Sequence, residues 1–304
     1  MPQNPEPKDN FEMRVKLGPK CHWTDFQDAR ELLEGCCEIY LAAGDLDSSL
    51  KEMVSTFTSE ALAGSAPIVH APHDIDQKKP EELVNLSSTQ PKVREQSVAI
   101  IQQTLDFADE LGAPHIVVHP GGISRKRTQR GNMEAALLES LQDLGSKKIL
   151  LENMPWFYWI GGEYTLISNI LVRAWEFETV LPDIGGICLD TCHGYLYQEK
   201  GGPEEVVAFF RRYPQQIKHL HVSDAVSPNG EGLQIGEGEV NFPQLLEDCY
   251  QAARATMGSS GVMEYSMIAE IKGGHLEKGR VQKEGFGKLK RFLRDSRWTV
   301  GGTK

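Results

Sequence analysis

APIVH at residues 66–70, PHIVVH at 114–119, KILLE at 148–152, GICLD at 186–190, IKHLHV at 217–222 and SMIAEI at 266–271 are short, Val/Ile/Leu-rich runs. Near-continuous apolar runs of this length suit strands buried on both faces. Two more, MRVKL at 13–17 and CEIYL at 37–41, precede them. Between the runs lie polar loops and longer stretches of helical spacing. In the clearest, residues 92–111, Val98, Ile101, Leu105, Ala108 and Leu111 recur three or four apart and form one apolar stripe, with Gly112 as the stop. Further helices are expected over about 132–144, 203–213 and 242–255. Strand, loop and helix in eightfold repetition predict an α/β fold, a single-domain (β/α)8 TIM barrel. The competing arrangement is an open doubly wound sheet, which uses few strand ends for its ligand.

The last residues of the third to eighth runs favour the barrel. They are His70, His119, Glu152, Asp190, His221 and Glu270, every one an imidazole or a carboxylate. In a barrel these ends converge on one face, where active sites are built. Buried together without partners they would be costly, and the carboxylates would raise one another's pKa values. Divalent cations at the centre resolve both problems. Nitrogen and oxygen donors without a thiolate suit one or two ions of Zn, Mn, Co, Fe or Mg. Taken singly, each residue has a plainer reading: a hydrogen-bonded rim histidine, or an Asp capping the next helix. Six in six consecutive strands argue for the metal. Glu264 lies six residues before Glu270, but the run MIA leads directly into Glu270.

His193, three residues after Asp190, is a further ligand or a substrate contact. His219 shares a strand face with His221 and is expected to be buried and hydrogen-bonded; Cys192 is expected to pack. His73, in HAPH, is a candidate rim residue. After Glu152 comes WFYWIGGEY, in which Trp156 to Trp159 are either an aromatic wall for substrate or ordinary packing. The loop ISRKRTQRGN carries Arg125, Lys126, Arg127 and Arg130, either a phosphate-binding loop or a solvated one. Gly236 and Gly238 of IGEG read as turn residues, since P-loop spacing is lacking.

The chain has 304 residues, a formal net charge of -11, 40% hydrophobic and 25% charged residues. That length buries a sizeable core without disulfides. The acidic balance excludes a generic nucleic-acid coat. No apolar run approaches the roughly 18 residues of a membrane span, and the polar MPQNPEPKDN carries no secretion signal. Residues 1–10 read as a disordered arm, 11–300 as the barrel and 301–304 as a frayed tail. Six cysteines with no CxxC pair suggest a reduced, cytoplasmic setting.

VHAPH, HPGG, LLENMP, CLDTCH, HLHVSD and IGEGEVNF, in this order, resemble the AP endonuclease family 2 and xylose isomerase-like TIM-barrel superfamily, over about residues 13–294. It includes endonuclease IV and the sugar phosphate isomerases and epimerases. In endonuclease IV-like enzymes, residues matching His70, His119 and a bridging Glu152 bind a first metal. Matches to Glu152, Asp190, His221 and Glu270 bind a second. The third uses the match to His193 plus an Asp-x-His, where this chain has Gly230 and Gly232. Another departure is His73, which stands where that branch has Tyr, before a lengthened loop. In the epimerase branch one metal sits on Glu152, Asp190, His221 and Glu270, and the two Glu act as base and acid on opposite faces of the substrate.

The expectation is therefore a metal-dependent isomerase or epimerase of a small sugar or sugar phosphate. Glu152 and Glu270 are its acid/base pair, and His73, Trp156, Arg125 and Arg127 are candidate substrate contacts. The first alternative is an endonuclease IV-like phosphodiesterase acting on abasic DNA with an incomplete third metal site. The second is a barrel that binds metal or ligand without turnover. The residues carry no reading of oligomeric state.

Overall fold

The structure, a computed structural model, describes residues 10–48, 50–76, 82–125, 130–160, 164–274 and 276–301. Eight parallel strands form its centre: β1 (Asn10–Gly18, resumed after Pro19 at Lys20–Cys21), β2 (Cys36–Tyr40), β3 (Ala66–His70), β4 (His115–Val118), β5 (Ile149–Glu152), β6 (Gly186–Asp190), β7 (Ile217–Val222) and β8 (Ser260–Ala269). Each pairs with the next. Closure depends on the break at Pro19. Residues before it pair with β8, from Asn10↔Ser260 to Gly18↔Ile268, and those after it pair with β2, at Lys20↔Glu38 and Cys21↔Ile39. Proline cannot donate to a ladder, yet its carbonyl still accepts from Glu38 N–H at 2.8 Å. The expected barrel is thus formed, with Trp298–Val300 as an extra strand beside β1. Asn10, assigned from sequence to the arm, already pairs in β1; residues 1–9 lie outside the described residues.

The four expected helices are present, α1 (Pro91–Leu111), α2 (Arg130–Leu144), α3 (Glu204–Arg212) and α4 (Phe242–Met257), and a further one, α5 (Leu276–Arg294), follows β8. Gly112 ends α1 in the left-handed conformation, φ 70°, where only glycine avoids a Cβ penalty. Two apolar sets follow from strand alternation. Val15, Ile39, Val69, Ile116, Leu151, Leu189, Leu220 and Met267 face outward and join the helices in one core. Cys36, Ile68, Val117, Leu150, Cys188 and Ile268 face inward and pack on one another to plug the lumen. The barrel is a filled core with its chemistry at one end.

Candidate metal centre

Step two residues along each strand from the lumen plug and the side chain again points inward. From Cys36, Ile68, Val117, Leu150, Cys188 and Ile268 that step reaches Glu38, His70, His119, Glu152, Asp190 and Glu270. From Gly18 it reaches Lys20, and from His219 it reaches His221. All eight strands therefore present an ionisable side chain at the C-terminal mouth. The two that sequence reading missed are Lys20 and Glu38. Glu38 stands in the middle of CEIYL, not at its end. The available signal was a carboxylate inside an apolar run, two residues from an inward Cys36.

Glu152 is central. His70 Nε2 lies 3.4 Å and His119 Nε2 3.2 Å from its Oε2, His221 Nδ1 3.5 Å from the same oxygen, and His193 Nδ1 3.2 Å from its Oε1. One oxygen each of Glu152, Asp190 and Glu270 and one nitrogen of His221 lie within 4.8 Å of one another. The imidazoles of His70, His73 and His119 form a second such group. The expected ligands therefore converge, and Glu270 is the member at the end of β8. Glu264 is half-exposed and 3.7 Å from Lys16, well below the mouth.

The structure also orients these donors. His70 Nδ1–H donates to Ala71 O at 2.8 Å, which leaves its buried Nε2 without a hydrogen-bond partner. His221 Nε2–H donates to Glu38 Oε2 at 2.6 Å, as does His219 Nε2–H. That directs His221 Nδ1 into the mouth, 2.5 Å from Glu270 Oε2. Such outer hydrogen bonds fix the tautomer of a metal-binding imidazole. His219 is buried and bonded, as expected. Glu38 is fully buried. Burial pushes its carboxyl up, but His221 and Lys20 outweigh that and hold it well below the carboxylate range. Lys20 Nζ sits 2.9 Å from Glu38 Oε1 and 2.5 Å from Glu270 Oε1.

Asp190 serves both readings. Its Oδ1 accepts from His193 N–H at 2.8 Å as the cap of the short helix Thr191–Tyr195, while the carboxylate still joins the four-donor group. Burial pushes the Asp190 carboxyl up to about 6. Asn153 ties β5 to β6 through Asp190 O and N, at 3.0 and 2.7 Å, which accounts for the EN motif. His193 keeps its Nδ1 beside the central group, 3.2 Å from Glu152 Oε1, where Nδ1–H also donates to Asn153 O at 2.9 Å, and turns its Nε2 toward Glu231 Oε2 at 3.8 Å. Burial opposes the His193 charge, but Asp190 and Glu152 outweigh it and raise its pKa to about 10. Glu231, between Gly230 and Gly232, is a third residue that sequence reading missed.

A cavity of about 540 Å³ opens above the centre. Lys20, His70, His73, Asp190, His193, Glu231 and Glu270 are among its walls. Trp156 is not; it packs with Met154, Val172 and Tyr197. The side chains of Tyr158 and Trp159, and the whole of Lys126 and Arg127, lie outside the described residues. Arg125 is exposed. Arg130 is engaged elsewhere, 3.3 Å from Glu176 and 4.4 Å from the Trp175 ring centre. The IGEG turn wraps the Asp224 carboxylate, which accepts from Gly236 N–H at 2.8 Å and Val240 N–H at 3.0 Å. A Cβ on Gly238 would fall 2.3 Å from Asp224 Oδ1, so glycine is required there for close approach. Cys192 packs with Leu196 and Ala225.

Comparison with known proteins agrees with this architecture. A family model described as xylose isomerase-like TIM barrel matches residues 43–282. A protein named "Probable endonuclease 4" from Mycobacterium ulcerans is 31% identical over 209 residues, 65% of this chain and 73% of that protein. Its namesake in Aquifex aeolicus is 30% identical over 220 residues, 66% and 72% of the two chains. Among solved structures, a D-tagatose 3-epimerase-like protein has a TM-score of 0.62 at 21% identity, with 92% of this chain and 97% of that one covered. Endonuclease IV from Thermus thermophilus has 0.59 at 18% identity, covering 92% and 100%. Both structural likenesses are of fold. The chain belongs to the xylose isomerase-like TIM-barrel family.

Proposed function

We propose that this barrel is a metal-dependent isomerase or epimerase of a small sugar or sugar phosphate. The observation that carries the reading is the four-donor group of Glu152, Asp190, His221 and Glu270 beneath a cavity of about 540 Å³. That volume falls in the range of small-molecule sites. The donors fit a divalent ion: they are nitrogen and oxygen, they converge, and the buried His221 Nδ1 and Glu270 Oε2 face each other at 2.5 Å with no other hydrogen-bond partner. A divalent ion bound there would polarise a carbonyl and its neighbouring hydroxyl.

The chain's own residues supply the rest. Glu152 and Glu270, on β5 and at the end of β8, are the carboxylates that take a carbon-bound proton from one face and return one from the other. Glu38 and Lys20 hold His221 and Glu270 in place. His193, with Glu231 behind it, meets substrate hydroxyls, and His73 stands at the rim. The six cysteines, all unpaired and buried, support a reduced, cytoplasmic setting. Among the described residues no helix is long and apolar enough to cross a membrane.

A second reading, phosphodiester cleavage at abasic sites in DNA, is favoured by His70 and His119 beside Glu152, which add a second metal position, and by the names of the relatives. Against it stand Gly230 and Gly232 in place of the third-site Asp and His. Two assays separate the readings. Protein loaded with Mn or Zn is expected to exchange a C–H proton of a ketose or ketose phosphate with deuterated water, and to leave an abasic duplex intact. Chelator-sensitive incision without exchange would replace the first reading by the second. Metal bound with neither activity would make the barrel a binding protein.

A further inference from the structure

We propose that His73 is a metal ligand. It completes a closed position with His70, His119 and Glu152, separate from the open four-donor group. The inference rests on the metal centre proposed above and adds a residue to it.

Three observations converge. The ring centres of His70 and His73 are 4.8 Å apart, those of His73 and His119 4.4 Å, and those of His70 and His119 5.3 Å. One nitrogen from each imidazole lies within 4.8 Å of the other two. Donors on one ion with metal–nitrogen bonds of about 2.0–2.1 Å lie no more than about 4.2 Å apart, so a small inward shift of the three rings brings their nitrogens onto one ion. His70 Nε2 is buried with no hydrogen-bond partner, because its Nδ1–H is fixed on Ala71 O. The ring of His70 meets those of His73 and His119 face to edge, the rings of His73 and His119 stack, and the His70 Nε2 lone pair is left among them.

The third observation concerns what holds His73. Residues 73–75 pair with 82–84: Asp74 bridges Leu83 in antiparallel sense, Val84 N–H donates to His73 O at 2.8 Å, and Ile75 N–H donates to Glu82 O at 2.7 Å. The backbone at this rim imidazole and just after it is therefore pinned. Zinc takes four ligands in closed sites and keeps one place open in catalytic ones. His70, His119 and Glu152 alone leave a place for water; His73 fills it. An ion held this way braces Glu152 from the β3–β4 side. Substrate chelation is then left to the other group.

The test uses Co(II) or Zn(II) as sole probe on the full chain stripped by chelator. Wild type is expected to retain two ions per chain by elemental analysis. Co(II) should show the intense visible bands of a four-coordinate site. His73→Ala and His73→Tyr are each expected to bind the second ion at least about ten-fold more weakly and to lose those bands. Their melting temperatures without metal should stay near wild type. Two ions and an unchanged spectrum in both variants would overturn the assignment. So would a single ion in wild type indifferent to His73, although that result leaves the four-donor reading standing. No metal in wild type at all would remove both.

Discussion

The two sides of the mouth are built differently. On the β7–β8 side each donor is backed by protein: His221 by Glu38, Glu270 by Lys20, and Glu38 itself by His219. On the β3–β4 side His70 and His119 crowd against Glu152, His73 and one another, and His70 Nε2 has no hydrogen-bond partner. A buried charge is tolerated when paired and bonded. The first side is thus organised before any ion arrives, whereas the second is organised by the ion. Glu152 joins them.

The largest effect is expected at that junction. Glu152→Ala should empty both metal positions and lower proton exchange by about 10²–10⁴-fold, the usual contribution of a general acid or base. Two ions retained in the variant would show the sides to be independent. Next comes stability without metal. Glu38→Ala strands His219, His221 and Lys20 around a lost carboxylate and should cost about 3–5 kcal/mol in urea unfolding. His70→Ala, which loses one hydrogen bond to Ala71, should cost less, about 1–2 kcal/mol. The reverse order would break the comparison.

A smaller effect concerns pH. His193 is raised to about 10 by Asp190 and Glu152, against about 6.5 unfolded. Its contribution to metal-free stability is therefore full below about pH 6.5 and is lost as pH rises through 10. Melting temperatures from pH 6 to 10, compared with His193→Gln, should show wild type losing its advantage across that window. Smallest is Glu264→Gln. Its half-exposed carboxylate, 3.7 Å from Lys16, should shift stability by no more than about 0.5 kcal/mol and leave metal content unchanged. Loss of metal there would return the last ligand to Glu264.

Much of this was legible along the chain. Six of the eight mouth residues end apolar runs, so strand period and barrel convergence identify them together. Asp190 shows why single positions mislead: it caps a helix and also joins the donor group. Lys20 and Glu38 escaped because Pro19 hides the resumption of β1 and because Glu38 lies inside its run. Glu231 escaped because a hairpin, not a strand end, brings it to His193. The aromatic run failed as a wall at Trp156 because hydrophobic burial has no direction, and Met154, Val172 and Tyr197 were there to receive it.

Order and periodicity alone determined the eight-stranded barrel, its filled lumen and the identity of most donors at its mouth, because alternation and strand length are local properties of the chain. Closure decided which side chains meet: Lys20 with Glu270, Glu38 with two histidines of β7, His73 with His70 and His119. Those contacts join residues as many as 250 positions apart. Tautomer, pairing and the division of the mouth into a backed side and a bare side exist only once the first strand reaches both neighbours.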